Sequence, residues 1–208
     1  MPAPGDKGVP VPGLQLVSFP GDRGAPVYEL QRQLATAGFD PGPADGVYGP
    51  RTRQAVVQLQ QICRLAADGI AGPNTLKALA FHLPHRPEPG RRLSPHFKEQ
   101  EFACRCCGLV RVNLYLVDML EQLRERLGGR PVVITSGYRC PEHNRIVGGA
   151  KQSQHLLGNA VDIEVDGLVP GEVATAAGQV GFLGVGLYPT FAHVDVRQSG
   201  PARWTETR

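Results

Sequence analysis

Apolar positions along the chain follow two different periods. Val27, Leu30 and Leu34 recur at helical spacing, and Gly38 stops the run. Ala55, Val56, Leu59, Ile62 and Cys63 form a second helical stripe, and Thr75-Leu76-Lys77-Ala78-Leu79 opens a third helix. Further on, Asn113 can cap a helix whose Leu116, Leu120, Leu123 and Leu127 share one face, ended by Gly128 and Gly129. The period then shortens. Residues 131–135 read as a buried strand, and residues 160–165, 185–188 and 191–197 as three more. A helix over residues 172–180, closed by Gly181, falls among them. The pattern predicts a small all-α three-helix module followed by an α+β domain with a mostly antiparallel sheet.

A short repeat punctuates the first module. Asp45-Gly46-Val47-Tyr48-Gly49-Pro50-Arg51-Thr52 returns as Asp68-Gly69-Ile70-Ala71-Gly72-Pro73-Asn74-Thr75. Glycine suits a tight turn, and proline suits the first position of a helix, so each copy opens one of the helices. Residues 83–93 hold prolines and arginines and read as a linker. The expected division is a flexible arm at 1–21, a three-helix domain at 22–82, the linker, and a second domain at 94–208.

Composition narrows the classes. With 41% hydrophobic and 20% charged residues over 208 positions, the chain reads as globular. A formal charge of +3 gives no argument for nucleic acid. No apolar run reaches membrane-spanning length. The first residues lack a basic segment followed by an apolar one, so no secretory signal is expected and the location stays open. Five cysteines leave at least one thiol unpaired in a monomer, the expected state.

Alternation also sorts the polar residues. Val161, Ile163 and Val165 point one way, and Asp162 and Glu164 the other. Val194 and Val196 share a face, with His193, Asp195 and Arg197 opposite. His155 lies in the loop just before the first of these strands. His155, Asp162 and His193 make a two-histidine, one-carboxylate set, which suits a zinc ion with one open position. The competing view is a loop histidine and ordinary surface charges.

These residues sit in longer motifs. Residues 22–81, with Leu30-Gln31, both repeat copies and Gln60, resemble the peptidoglycan-binding domain type 1 family, which implies binding to wall glycopeptide. Ser136-Gly137-Tyr138-Arg139, Gly148-Gly149-Ala150, Ser153-Gln154-His155, Asp162 and His193-Val194-Asp195 resemble the M15 family of zinc D-alanyl-D-alanine carboxypeptidases and endopeptidases. The implied fold is hedgehog/DD-peptidase-like, and the implied cofactor is zinc on His155, Asp162 and His193. Arg139 is the implied cation near the substrate, with Tyr138 and Ser153 as substrate-binding neighbours. Better-known members carry an acid three residues before the last zinc histidine; here that position is Thr190. Asp195 is then the acidic candidate, either as general base or as a carboxylate orienting a ligand. The implied partner is peptidoglycan, which would place the protein at the cell wall. A non-catalytic wall-binding protein with a structural zinc site is the alternative. The cysteines follow the same branch, and a disulfide from Cys104 or Cys106 to Cys140 would pin the arginine loop; a metal held by the cluster is the rival, disfavoured by the spacing C-x-C-C.

Overall fold

The structure, a computed structural model, describes residues 18–206. It divides into two compact units, one ending at Leu83 and the other beginning at Pro84. Residues 1–17 of the expected arm lie outside the described residues. Residues 18–21 are tied in: the Ala71 N–H donates to the Ser18 carbonyl at 3.0 Å, and the Gly21 N–H to Tyr48 at 3.0 Å.

The first unit holds helices α1 (Ala25–Thr36), α2 (Pro50–Ile62) and α3 (Pro73–His82). Each has proline in its first turn, where no N–H partner is needed. Their apolar stripes meet in one core of Val27, Leu30, Leu34, Ala55, Val56, Leu59, Leu76 and Leu79.

The repeat wraps a buried glutamine in each copy. Gln31 Nε2 donates to Asp45 Oδ1, the Val47 carbonyl and Thr52 Oγ1 at 2.9–3.0 Å, while its Oε1 accepts from the Gly46 N–H at 2.9 Å. Gln60 Nε2 donates to Asp68 Oδ1, the Ile70 carbonyl and Thr75 Oγ1 at 2.8–3.0 Å, and its Oε1 accepts from the Gly69 N–H at 2.9 Å. The conserved spacing within the chain therefore encodes a hydrogen-bond cage as well as a turn. Gly46 and Gly69 take positive φ of 73° and 74°, which lets their N–H groups reach the amide.

In the second unit, a sheet runs in the order β1-β2-β4-β3-β5. Its strands are β1 (Val132–Ser136), β2 (Ala160–Val165), β3 (Gly184–Leu187), β4 (Ala192–Asp195) and β5 (Ala202–Thr205). All pairings are antiparallel except β3 with β5. Helix α4 (Leu114–Arg126) is capped by Asn113 Oδ1, which accepts from the Tyr115 N–H at 3.0 Å. Helix α5 spans Pro141–Ile146, and α6 (Pro170–Val180) packs on β2, β3 and β4 with α4 beside it. Val161, Ile163, Val173, Ala177 and Val194 bury that face. The opposite face keeps the polar residues.

Two expectations need correction. Strand β1 is an edge strand rather than a buried one, and Val133 is 53% exposed, because only β2 pairs with it. Residues 84–93 are not a free linker: a buried carboxylate gathers them. Glu99 accepts from the Glu88 N–H at 2.7 Å and meets His85 Nε2 at 2.9 Å and Arg91 at 3.5 Å.

Replacing Gln31 or Gln60 with alanine strands a glycine N–H and a threonine hydroxyl inside the first unit. Each change is expected to cost about 3 kcal/mol. Urea unfolding of the full chain checks this, with the loss confined to the transition of the first unit.

Candidate metal centre

The site grows from the polar face of β2 and β4. Their register places Asp162 directly opposite His193. His155 arrives from a 3-10 turn at Gln154–Leu157, opened by Ser153, whose Oγ accepts from the His155 N–H at 3.4 Å. Gly158 closes that turn with φ 68°; a Cβ there would run into the Arg111 backbone.

Three atoms converge. His155 Nε2 lies 3.2 Å from Asp162 Oδ1 and 3.1 Å from His193 Nδ1, and His193 Nδ1 lies 2.9 Å from Asp162 Oδ1. Ligands about 2.0–2.1 Å from a tetrahedral zinc stand roughly 3.3 Å apart. The triangle has nearly that edge. The far nitrogens explain the orientation. His155 Nδ1 meets the Gly137 carbonyl at 2.7 Å, which only an N–H can satisfy. His193 Nε2 meets Asp195 Oδ2 at 3.2 Å. With those protons committed outward, both inner nitrogens present lone pairs to the Asp162 carboxylate. Such a cluster of acceptors is stable only around a proton or a cation, so the residues present fit a metal ion.

Electrostatics follow the same geometry. Burial pushes the Asp162 carboxyl up, but His155 and His193 outweigh it and hold it well below the usual range. Burial also raises Asp195, and Arg197 with His193 overcomes that. Burial lowers His155 despite Asp162. Burial acts the same way on His193, where Asp162 and Asp195 win and raise it.

Asp195 is fully buried. Its Oδ1 accepts from the Arg197 backbone N–H at 3.0 Å and from Nε at 2.8 Å, while Oδ2 takes His193. Space for it comes from β3. Gly184 pairs with Asp195 and Gly186 with His193. A Cβ on Gly184 would occupy the Asp195 carboxylate, and one on Gly186 would strike Trp204. The Gly-Val-Gly-Leu alternation thus buries Val185 on the core face and leaves the other face bare.

The triad opens into a cleft of 780 Å³, which Arg139, Ser153, Tyr188, Phe191, Arg197 and Trp204 help to line. Arg139 donates from Nε to Ser136 Oγ at 2.9 Å and from Nη2 to Asp162 Oδ2. Tyr188 stacks on Phe191 at 4.3 Å between centroids, and its hydroxyl accepts from Trp204 Nε1 at 3.2 Å. Of the predicted residues, the structure brings His155, Asp162, His193, Arg139 and Ser153 to one cleft and sets Asp195 behind His193. Tyr138 is not brought there: it is buried, and its charged neighbours are Arg111 and the cysteines. The backbone on either side of this position packs on Phe102: a Cβ at Gly137 would strike the Phe102 backbone, and the Tyr138 N–H donates to the Phe102 carbonyl at 2.8 Å.

Sequence periodicity missed Trp204, Glu206 and Gln152, all on the cleft wall. Strand β5 is four residues long near the end of the chain, and its alternation of Ala202, Arg203, Trp204 and Thr205 was its one signal. The disulfide is also corrected. Cys104, Cys106 and Cys140 are free thiols, and Cys140 closes instead on both Cys104 and Cys107, so no single pair is singled out.

Residues 95–196 match the family model described as Peptidase M15, and residues 23–79 match that of a peptidoglycan binding domain. The zinc D-Ala-D-Ala carboxypeptidase of Streptomyces albus G is 33% identical over 150 residues, which cover 64% of this chain and 56% of that protein. The peptidoglycan L,D-endopeptidase MepK of Escherichia coli (strain K12) is 40% identical over 96 residues, 42% of this chain and 51% of its own. A crystal structure of a Burkholderia AP3 phage endolysin aligns at 34% identity and TM-score 0.30, covering 54% of this chain and 33% of that one. The chain spans about half the length of the curated relatives it matches. The chain is thus similar to the peptidase M15 family over residues 95–196 and to the peptidoglycan binding domain family over residues 23–79.

Proposed function

We propose that the chain is a zinc-dependent peptidase that hydrolyses the stem peptides of peptidoglycan at the cell wall, with its first unit holding the wall. The carrying observation is the convergence of two imidazole lone pairs and a carboxylate oxygen, with both imidazole protons committed elsewhere. His155 Nε2, Asp162 Oδ1 and His193 Nδ1 would hold the zinc. When bound, the ion supplies Lewis acidity toward the scissile carbonyl and a hydrolytic water near neutral pH.

The other residues take roles from their contacts. Asp195 acts as a positioning carboxylate: both of its oxygens are occupied and it is sealed from the cleft, which supports an orienting role over that of a base. Glu206 is the acidic cleft residue left to accept a proton, since the other, Asp162, is held by both histidines. Arg139 has N–H groups beyond those spent on Ser136 and Asp162, and these face a substrate carboxylate. The stacked Tyr188 and Phe191 with Trp204 give a flat apolar wall for a peptide. The zinc carboxypeptidase and the L,D-endopeptidase among the relatives frame the two bonds at issue, a D-Ala-D-Ala terminus and a peptide cross-link.

The full chain is expected to co-sediment with insoluble peptidoglycan and to release fragments that mass spectrometry assigns to a peptide-bond cut. His155→Ala or Asp162→Ala is expected to keep sedimentation and lose both zinc and cleavage. Binding without any fragment from the wild type would instead support a non-catalytic wall binder.

Asp195→Asn is expected to weaken zinc affinity by about 10–100-fold, as loss of an outer partner of a ligating histidine does. Restoring activity with excess zinc is the expected check on a positioning role. A zinc-saturated variant that stays inactive would return Asp195 to the chemistry itself.

Arg139→Lys is expected to lower turnover of a stem peptide ending in a free D-Ala carboxylate by roughly 100-fold, because an ammonium cannot reproduce the planar fork. A cross-linked dimer is expected to lose less. Steady-state kinetics on both substrates, with zinc content measured alongside because Arg139 also touches Asp162, separates the two bonds.

A further inference from the structure

A second group of metal-ligating side chains lies outside the cleft. The sulfurs of Cys104, Cys107 and Cys140 lie within 4.8 Å of one another. His143 Nδ1 stands 3.3 Å from Cys104 Sγ. None of the three thiols is in a disulfide. The geometry points to a second, structural zinc site held by Cys104, Cys107, Cys140 and His143, separate from the His155–Asp162–His193 centre.

The local chain is built as a metal knuckle. Cys104 and Cys107 are three apart, so the C-x-x-C pair typical of structural zinc is present; Cys106 between them disguises it as C-x-C-C. The Gly108 N–H returns to the Cys104 carbonyl at 2.8 Å, and Gly108 turns the chain with φ 68°. Cys104 Sγ accepts from the Cys140 N–H at 3.4 Å. Cys140 Sγ accepts from the His143 N–H at 3.4 Å. Two of the three sulfurs thus receive a backbone donor. Such donors stabilise a thiolate, the form that ligates metal; a neutral disulfide sulfur would gain little from them.

The sulfur count argues the same way. Three sulfurs share one locus, and a disulfide would use two and leave the third crowded beside it. A tetrahedral zinc with Zn–S of about 2.3 Å places sulfurs roughly 3.8 Å apart, so three such sulfurs need only close slightly. Cys106 is exposed, and its thiol approaches Cys140 without joining the group of three sulfurs. His143, with Nδ1 3.3 Å from Cys104 Sγ, is the imidazole that would complete a Cys3His set.

The site would staple two segments that otherwise meet through hydrogen bonds. One is the turn after Phe102. The other is the stretch from Tyr138 to α5, where Cys140 follows Arg139 directly. The Tyr138 N–H already donates to the Phe102 carbonyl at 2.8 Å, beside the proposed ion. A metal there would fix the base of the arginine loop by the means the disulfide was expected to supply.

The full chain, purified under reducing conditions, is to be analysed for metal by elemental analysis and zinc-edge X-ray absorption. Two zinc ions per chain are expected, with averaged scattering that includes sulfur at about 2.3 Å. Cobalt substitution is expected to give a sulfur-to-metal charge-transfer band that survives His193→Ala, which empties only the other centre. Cys140→Ser and His143→Ala are expected to drop the count by one and lose or shift that band, while Cys106→Ser keeps both. The sulfur signature is independent of peptidase activity, so an inactive enzyme that shows it still carries the site. The wild-type spectra do not depend on any variant folding. One zinc per chain with only nitrogen and oxygen scattering would overturn the inference, as would an intact mass two protons short from a Cys–Cys bond. Loss of the metal in Cys106→Ser with retention in His143→Ala would overturn the fourth ligand.

Discussion

The second unit is arranged around one unfavourable convergence. Three electron-rich atoms, two imidazole nitrogens and a carboxylate oxygen, lie within about the spacing of a single ion's ligands. Nothing in an apolar core would choose that arrangement, and each neighbour is placed to enforce it. The Gly137 carbonyl turns His155 and Asp195 turns His193, so both lone pairs face inward. Arg139 takes the second oxygen of Asp162, and Arg197 neutralises Asp195. Removing any of these leaves a buried charge or an N–H without its partner, which costs more than the bond itself contributes.

Backbone features exist to make room for that set. Strand β3 carries glycine at both positions that face the site, and a side chain at Gly184 would displace the Asp195 carboxylate. The parallel strand β5 then lays Trp204 across the bare face, with ring centroids 5.0 Å from His193 and Arg197 5.4 Å above the indole. The first unit solves a smaller version of the same problem. Its two repeats each spend an aspartate, a glycine N–H and a threonine on one buried glutamine. In both units a buried polar group is affordable only because its whole partner set is encoded with it.

Much of this was legible from periodicity. Strand alternation grouped Asp162 with Glu164 and His193 with Asp195, and the register of β2 on β4 sets Asp162 opposite His193. The helices of the first unit follow from apolar stripes interrupted by Gly-x-x-Gly-Pro. What escaped was set by contacts distant in sequence. Glu99 gathers residues 84–93 across more than ten positions, so a proline-rich stretch read as a linker is packed. Gln31 reaches Thr52 across 21 positions, so the repeat showed its turns and hid its cage. Tyr138 looked like a substrate contact because it adjoins Arg139; its side chain is buried instead and does not line the cleft. Val133 looked buried by composition, yet strand order leaves it at an edge.

Arg139 shows why the two halves of this unit cannot be read separately. Its guanidinium is oriented by Asp162, on the floor of the cleft, and its backbone N–H donates to the His155 carbonyl at 3.2 Å. One residue later the chain enters the sulfur cluster, where the Cys140 N–H points at Cys104. A loop residue with the role proposed for Arg139, meeting a charged substrate, must resist being pulled toward it, and hydrogen bonds on one side only would allow it to swing. Anchoring it through His155 and Asp162 on one flank and through Cys140 on the other removes that freedom before substrate arrives. The entropy of ordering the loop is then met in folding rather than in binding, which is the condition under which a guanidinium fork discriminates by geometry as well as by charge.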